Sequence, residues 1–149
     1  MKELRGAAAT LVAAPLAQCL ALVEAVDGYP VWYPEVVRSV EVLERDARGL
    51  PSRAQTRLHL SAGPVTKDFD LLMAVTVEPP ATVKLAKVGG NAKFDVIWRL
   101  TEGENTRIEL ELDASLDVPR FLPLGDVGNS VAQGFVSAAS AELARRALG

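Results

Sequence analysis

The chain has 149 residues, 49% hydrophobic and 23% charged, with a formal net charge of −3. That length holds one well-formed core, the apolar content excludes dominant disorder, and the mild acidity excludes the basic footprint that nucleic acid requires. One Cys and one His exclude an internal disulfide, a Cys-based metal cluster and a His-rich metal site, so no metal or other cofactor is expected.

Residues 3–12 form a short apolar run that reads as a strand. The Ala/Leu-rich stretch from Gly6 to Val26 follows Lys2 and Arg5, the outline of a signal peptide. Glu3 in the basic head, Pro15 inside the apolar run and Gln18 before Cys19 argue against it, and no run of about 18 apolar residues exists to form a membrane segment. A strand followed by an amphipathic helix is expected instead, with Cys19 as a buried thiol and the cytoplasm as the compartment. Pro15 at the first helical position opens that helix, with Leu16, Cys19, Leu20, Val23 and Val26 on one face and a left-handed Gly28 as its end. Tyr29-Pro30-Val31-Trp32-Tyr33-Pro34 then has two prolines too close together for a long helix, and predicts a single helical turn.

From Val36 the period becomes two. Val36, Arg38, Val40 and Val42 share one parity, and Arg48-Gly49 marks a hairpin turn. The next strand spans Arg53–Ala62, with Ala54, Thr56, Leu58 and Leu60 on one face, and Gly63-Pro64 turns the chain again. Phe69, Leu71, Met73, Val75 and Val77 mark the strand at Val65–Glu78, which Pro79-Pro80 ends. A weaker strand covers Ala81–Val88. Phe94, Val96, Trp98 and Leu100 mark the following one, and Ile108, Leu110 and Leu112 the last, at Thr106–Leu116. Consecutive strands joined by short turns make an antiparallel meander. After Pro119 the spacing of Val127, Val131, Phe135 and Ala138 is helical. A helix from about Leu124 to Leu148 would be ~36 Å long, enough to cross a seven-stranded sheet spanning roughly 29 Å. Gly128 and Gly134 weaken it by roughly 1 kcal/mol each, which close packing would have to offset.

The expected fold is α+β: a seven-stranded antiparallel curled sheet wrapped around a long C-terminal helix, in a helix-grip arrangement. Two short helices lie between the first and second strands, and residues 1–149 make one domain. The first strand pairs beside the last. A curled sheet gripping a helix rich in Ala, Gly and Ser encloses a pocket of roughly 300–1,000 Å³, unless Leu, Val and Phe side chains fill it.

The segment Asp27-Gly28-Tyr29-Pro30-Val31-Trp32-Tyr33-Pro34-Glu35-Val36-Val37, followed by Val40-Glu41-Val42-Leu43-Glu44-Arg45-Asp46, is similar to one branch of the START-like (SRPBCC) helix-grip superfamily. That branch is the bacterial polyketide-cyclase/dehydrase and lipid-transport branch, in which a Tyr-Pro-x-Trp segment follows the first helix and a Val-rich strand comes next. Val96-Ile97-Trp98-Arg99-Leu100 also resembles it, and the order of elements matches over the whole chain. The superfamily includes lipid-transfer domains, pollen-allergen-type proteins, aromatic polyketide cyclases and coenzyme-Q-binding proteins. The resemblance implies an apolar cavity for a hydrophobic or aromatic small molecule, in proteins that are enzymes in some cases and carriers in others.

Chemical candidates are few. His59 has the parity opposite to Leu58 and Leu60, and Glu109, Glu111 and Asp113 oppose Ile108, Leu110 and Leu112; both read as solvated faces. Gly89-Gly90-Asn91 lacks the tail and helix of a phosphate loop and reads as a hairpin turn. No residue is expected to be catalytic. Arg38 shares parity with the valines of its strand and is a candidate for holding a ligand carboxylate or carbonyl at a pocket mouth; an outward Arg at a strand end is the alternative. Trp32, with Tyr29 and Tyr33, is a candidate rim. Phe69, Met73, Trp98, Leu110, Val131 and Phe135 are candidates for the pocket wall. The first functional expectation is a carrier, sequesterer or sensor of a hydrophobic lipid-like or aromatic small molecule. The alternatives are a cyclase/dehydrase-type enzyme and a protein-interaction module with a vestigial pocket. The sequence leaves the oligomeric state open.

Overall fold

Hydrophobic alternation sets the strands of the computed structural model, which describes residues 1–148. The elements are β1 (Lys2–Val12), α1 (Leu16–Glu24), a 3₁₀ turn (Val26–Gly28), α2 (Tyr29–Trp32), β2 (Val37–Arg45), β3 (Pro51–Ala62), β4 (Val65–Glu78), β5 (Thr82–Lys87), β6 (Lys93–Thr101), β7 (Thr106–Leu116) and α3 (Val127–Leu148). The strands form one antiparallel sheet in the order β1-β7-β6-β5-β4-β3-β2. β1 therefore closes the meander beside β7, as the sequence predicts. The β2–β3 and β3–β4 hairpins turn on Gly49 (φ 81°) and Gly63 (φ 62°), in the left-handed region that glycine enters without steric cost.

Residues of one parity on β3, β4, β6 and β7 face the helices and are buried, among them Ala54, Leu58, Met73, Trp98 and Leu110. β2 departs from its expected parity. Val37 pairs with Leu58 and Ser39 with Arg57, so Arg38 is an extra residue in a bulge. The bulge reverses the alternation, putting Val37 inside and Arg38 in solvent.

Two smaller expectations also change. Pro15 has extended ψ (152°) and caps α1 from outside instead of entering it. Gly28 is not a left-handed stop; its φ of −85° lets the 3₁₀ turn run directly into α2.

α3 sits mainly on β1 and, to a lesser extent, β7. Backbone touches backbone there. A Cβ on Gly128 would lie 2.0 Å from the Arg5 carbonyl oxygen, and one on Gly6 would lie 2.1 Å from the Gly128 carbonyl oxygen. Asn129 Oδ1 accepts the Ala7 N–H at 3.2 Å, satisfying a donor on this edge strand. The other flank of the sheet is covered by the 3₁₀ turn and α2, which pack on β2 and β3. α3 thus shares the cover with the short helices and does not span the sheet alone. Arg48 of the β2–β3 turn fastens this second cover, donating to both Glu24 carboxylate oxygens at 3.2 and 3.4 Å. Among the described residues no helix is long and apolar enough to cross a membrane.

Candidate functional site

The two covers meet at Phe135. Pro30 and Pro34 confine α2 to one turn, so Tyr29, Trp32 and Tyr33 crowd against α3. The Phe135 ring centroid lies 4.5 Å from that of Tyr33, 5.9 Å from Tyr29, 6.4 Å from Trp32 and, across on β6, 5.9 Å from Trp98. All four pairs are tilted or edge-on, the geometry in which ring quadrupoles attract, at about 0.5–1.5 kcal/mol per pair beyond burial.

Behind this cluster is a cavity of ≈ 30 Å³, walled by Tyr29 and Phe135 on the helix side and by Val40, Thr56, Leu58, Met73, Leu85, Phe94 and Val96 on the sheet side. Its wall carries two polar side chains. The Thr56 hydroxyl donates to the Leu71 carbonyl at 2.9 Å, and the Tyr29 hydroxyl donates to the Val23 carbonyl at 2.5 Å. Burial drives the Tyr29 pKa far up, so the phenol stays protonated. Among the described residues no carboxylate, His, Lys or Arg lines this cavity.

On the other side of the same rings an open groove of ≈ 640 Å³ runs between α2 and α3, past Val31, Trp32, Tyr33, Gly134, Ala138 and Glu142. The Tyr33 hydroxyl donates to the Val131 carbonyl at 3.1 Å. Burial, then the charge of Glu35, pushes its pKa up to about 12. Gly134 is needed for that contact, since a Cβ there would lie 2.1 Å from the Tyr33 oxygen. Groove and cavity are thus separated by one aromatic layer. Two indole N–H groups in this layer, of Trp32 and Trp98, are buried and have no hydrogen-bond partner.

The candidate residues therefore divide. Met73 and Phe135 line the cavity. Phe69 lines a second, ≈ 20 Å³ cavity with Leu60, Leu116, Leu122 and Val127. Trp32 lines the outer groove. Trp98, Leu110 and Val131 are packed core, at 0%, 1% and 6% exposure. Arg38 is exposed on its bulge, outside the lining of both cavities and of the groove. The expected single large pocket is replaced by small cavities because the rings of Tyr29 and Phe135 occupy the space between sheet and helices. Tyr29, read as a rim residue, is buried at 2% exposure. Its position depends on how α2 folds back, which no periodicity reports. Thr56 and Leu58 were legible as inward residues from strand parity.

His59 lies on the outer face of the sheet. Its Nδ1 is 2.6 Å from Asp68, which Arg57 also contacts at 3.1 Å. The hydrogen bond from His59 and then that from Arg57 hold the Asp68 carboxyl below its usual range. Glu109, Glu111 and Asp113 form ion pairs with Arg107, Arg99 and Lys93 on the same outer face. Among the described residues no group of three or more His, Cys, Asp or Glu could hold a metal.

No curated protein matches this chain at a significant level. Its fold is similar to that of a START superfamily protein from Mycobacterium smegmatis (TM-score 0.76, 17% identity, 96% of this chain and 99% of that one). A Thermus thermophilus protein is similar too (TM-score 0.75, 19% identity, 95% and 98%), as is the Zhui aromatase/cyclase of a Streptomyces species (TM-score 0.65, 17% identity, 98% and 96%). At these identities the likeness establishes the helix-grip fold alone. The family model described as polyketide cyclase/dehydrase and lipid transport matches residues 12–144. With that match covering most of the sequence, the chain belongs to the polyketide cyclase/dehydrase and lipid transport family.

Proposed function

We propose that residues 1–149 act as one domain that binds a hydrophobic, lipid-like or aromatic small molecule at the seam between α2, α3 and the sheet, as a carrier, sequesterer or sensor in the cytoplasm. The observation that carries this reading is the cavity wall, which is apolar except for two hydroxyls already engaged as donors. Such a wall favours transfer of apolar surface from water and offers nothing to a charged ligand. A space of ≈ 30 Å³ accommodates about one water molecule. A ligand must therefore displace part of the aromatic layer, so binding is coupled to opening.

The test is titration of wild type and Trp32→Phe with a hydrophobic dye or quinone, reading indole emission. Saturable quenching that persists in Trp32→Phe, with a negative heat-capacity change by calorimetry, supports the reading. Absence of saturation with every apolar probe overturns it. Family membership and the likeness to an aromatase/cyclase favour a second reading, a cyclase/dehydrase-type enzyme. Acid–base catalysis needs a titratable group within reach of the substrate. Tyr29 is the one such group on the wall, and its proton is held by Val23. Binding is therefore the better-supported reading.

A further inference from the structure

The loop between β7 and α3, residues 117–126, holds one ring outward. Leu122 is buried, and with Leu124 it faces the ≈ 20 Å³ cavity that Val65 of the β3–β4 hairpin also lines. The Leu122 N–H closes a turn onto the Pro119 carbonyl at 3.0 Å. Lys2 donates to the Leu122 carbonyl, and Lys67 donates to the Asp117 carbonyl at 2.7 Å, so the loop is pinned on two sides. Between these fixed points Phe121 is 83% exposed, next to an exposed Arg120. A Phe side chain fixed in water forgoes its hydrophobic stabilisation, and such a feature marks a contact surface. Met1 and Val65, also exposed, lie at the same end of the sheet.

Charge around the ring is distinctive. Lys93, Arg57, Arg99 and Arg107 on the outer face of the sheet sit on carboxylates. Lys2 and Lys67 bond carbonyl oxygens instead, which leaves their charge in place, and Arg120 forms no ion pair among the described residues. Asp117 and Asp126 stand at the two ends of the loop and offset part of this charge. At the opposite end of β7, the β6–β7 turn carries exposed Glu102 and Glu104, outside any ion pair among the described residues. The unpaired charge therefore changes sign from one end of β7 to the other.

We propose that the β7–α3 loop docks on an anionic lipid surface, with Phe121 entering the interface and Arg120, Lys2 and Lys67 facing the headgroups. A stable protein interface needs on the order of 1,000 Å² of matched surface. A headgroup layer needs only a projecting apolar side chain beside cations, and repulsion of Glu102 and Glu104 turns the other end away. This surface is separate from the seam proposed above for a small molecule, so either proposal can fail alone.

The test is co-sedimentation with vesicles of phosphatidylcholine, alone and mixed with phosphatidylglycerol. Wild type should sediment with the mixed vesicles and be released by salt. Phe121→Ser should weaken binding about tenfold, and Arg120→Glu by about fivefold or more. Leu43→Ser, at an exposed site on β2, should change nothing. Phe121→Trp should add an indole whose emission moves to the blue and is quenched by brominated lipid, unlike the two buried indoles of wild type. Failure of wild type to sediment with mixed vesicles overturns the proposal, as does equal binding to both compositions. So does undiminished binding of Phe121→Ser, or a vesicle-free dimer that Phe121→Ser dissociates, which would place a second copy of the chain on the ring. The substituted side chains are exposed, and unchanged urea midpoints would confirm that each variant folds.

Discussion

Glu142 is the buried carboxylate of α3. Its side chain is 7% exposed and receives hydrogen bonds from Arg145 at 2.6 Å and Arg146 at 2.9 Å. Those bonds pull its pKa from 4.5 to about 2. Both guanidiniums reach well into solvent, and screening keeps the net stabilisation small. The sign is still definite: a carboxyl with a depressed folded pKa stabilises above its unfolded pKa, and the contribution fades as pH falls from 4.5 toward 2. Glu142→Gln should lower the urea midpoint near neutral pH and close most of that gap near pH 2; an equal gap at both would assign the effect to packing. Arg38 and His59 make the opposite kind of prediction. Arg38→Ala removes an exposed side chain from a bulge, and His59→Ala acts on the outer face. Each should leave apolar-probe affinity within a few-fold, and Arg38→Ala should change stability by less than about 0.5 kcal/mol. A hundredfold affinity loss in either would mean that the binding surface lies outside the helix-covered face.

At the scale of elements, the two glycines of α3 perform different tasks. Gly128 meets the immovable backbone of β1, whereas Gly134 meets the tip of Tyr33. Gly128→Ala should therefore unseat the start of α3. Gly134→Ala should cost about 1–3 kcal/mol of overpacking, since Tyr33 can yield only by disturbing Phe135. Adding Tyr33→Phe should recover part of the second loss, because the nearest remaining atom is then Cζ at 2.8 Å; strict additivity in denaturant unfolding would exclude the contact as the cause. These positions also mark what was legible in the sequence. Alternation placed Thr56, Leu58 and Met73 inside because strand side chains change face at every residue. The same rule misplaced Arg38, because a bulge adds one residue that alternation cannot register. Glycines in a helix announced close packing, but whether the partner was sheet or α2 depended on contacts more than a hundred residues apart for Gly6–Gly128 and about that for Tyr33–Val131.

Over the whole molecule, the volume between sheet and helices is a property of no single element. α3 holds the β1–β7 side, α2 and the 3₁₀ turn hold the β2–β3 side, and the rings at their seam decide how much space remains. A helix face of Ala, Gly and Ser suggested a roomy pocket, yet the missing bulk arrives from Tyr29, Trp32 and Tyr33 on a segment far away in sequence. Val131→Trp separates the two pictures. Val131 lies one turn before Phe135 at 6% exposure, and its carbonyl receives the Tyr33 hydroxyl. The added indole greatly exceeds the nearby ≈ 30 Å³ cavity, so it must push α3 from the sheet or displace the aromatic layer. The expected result is a loss of about 1–3 kcal/mol or more, seen as a lower urea midpoint with an unchanged slope. Unchanged stability together with lost binding of an apolar probe would mean the reverse: that the grip yields readily at Val131, and that the added indole takes the ligand's place.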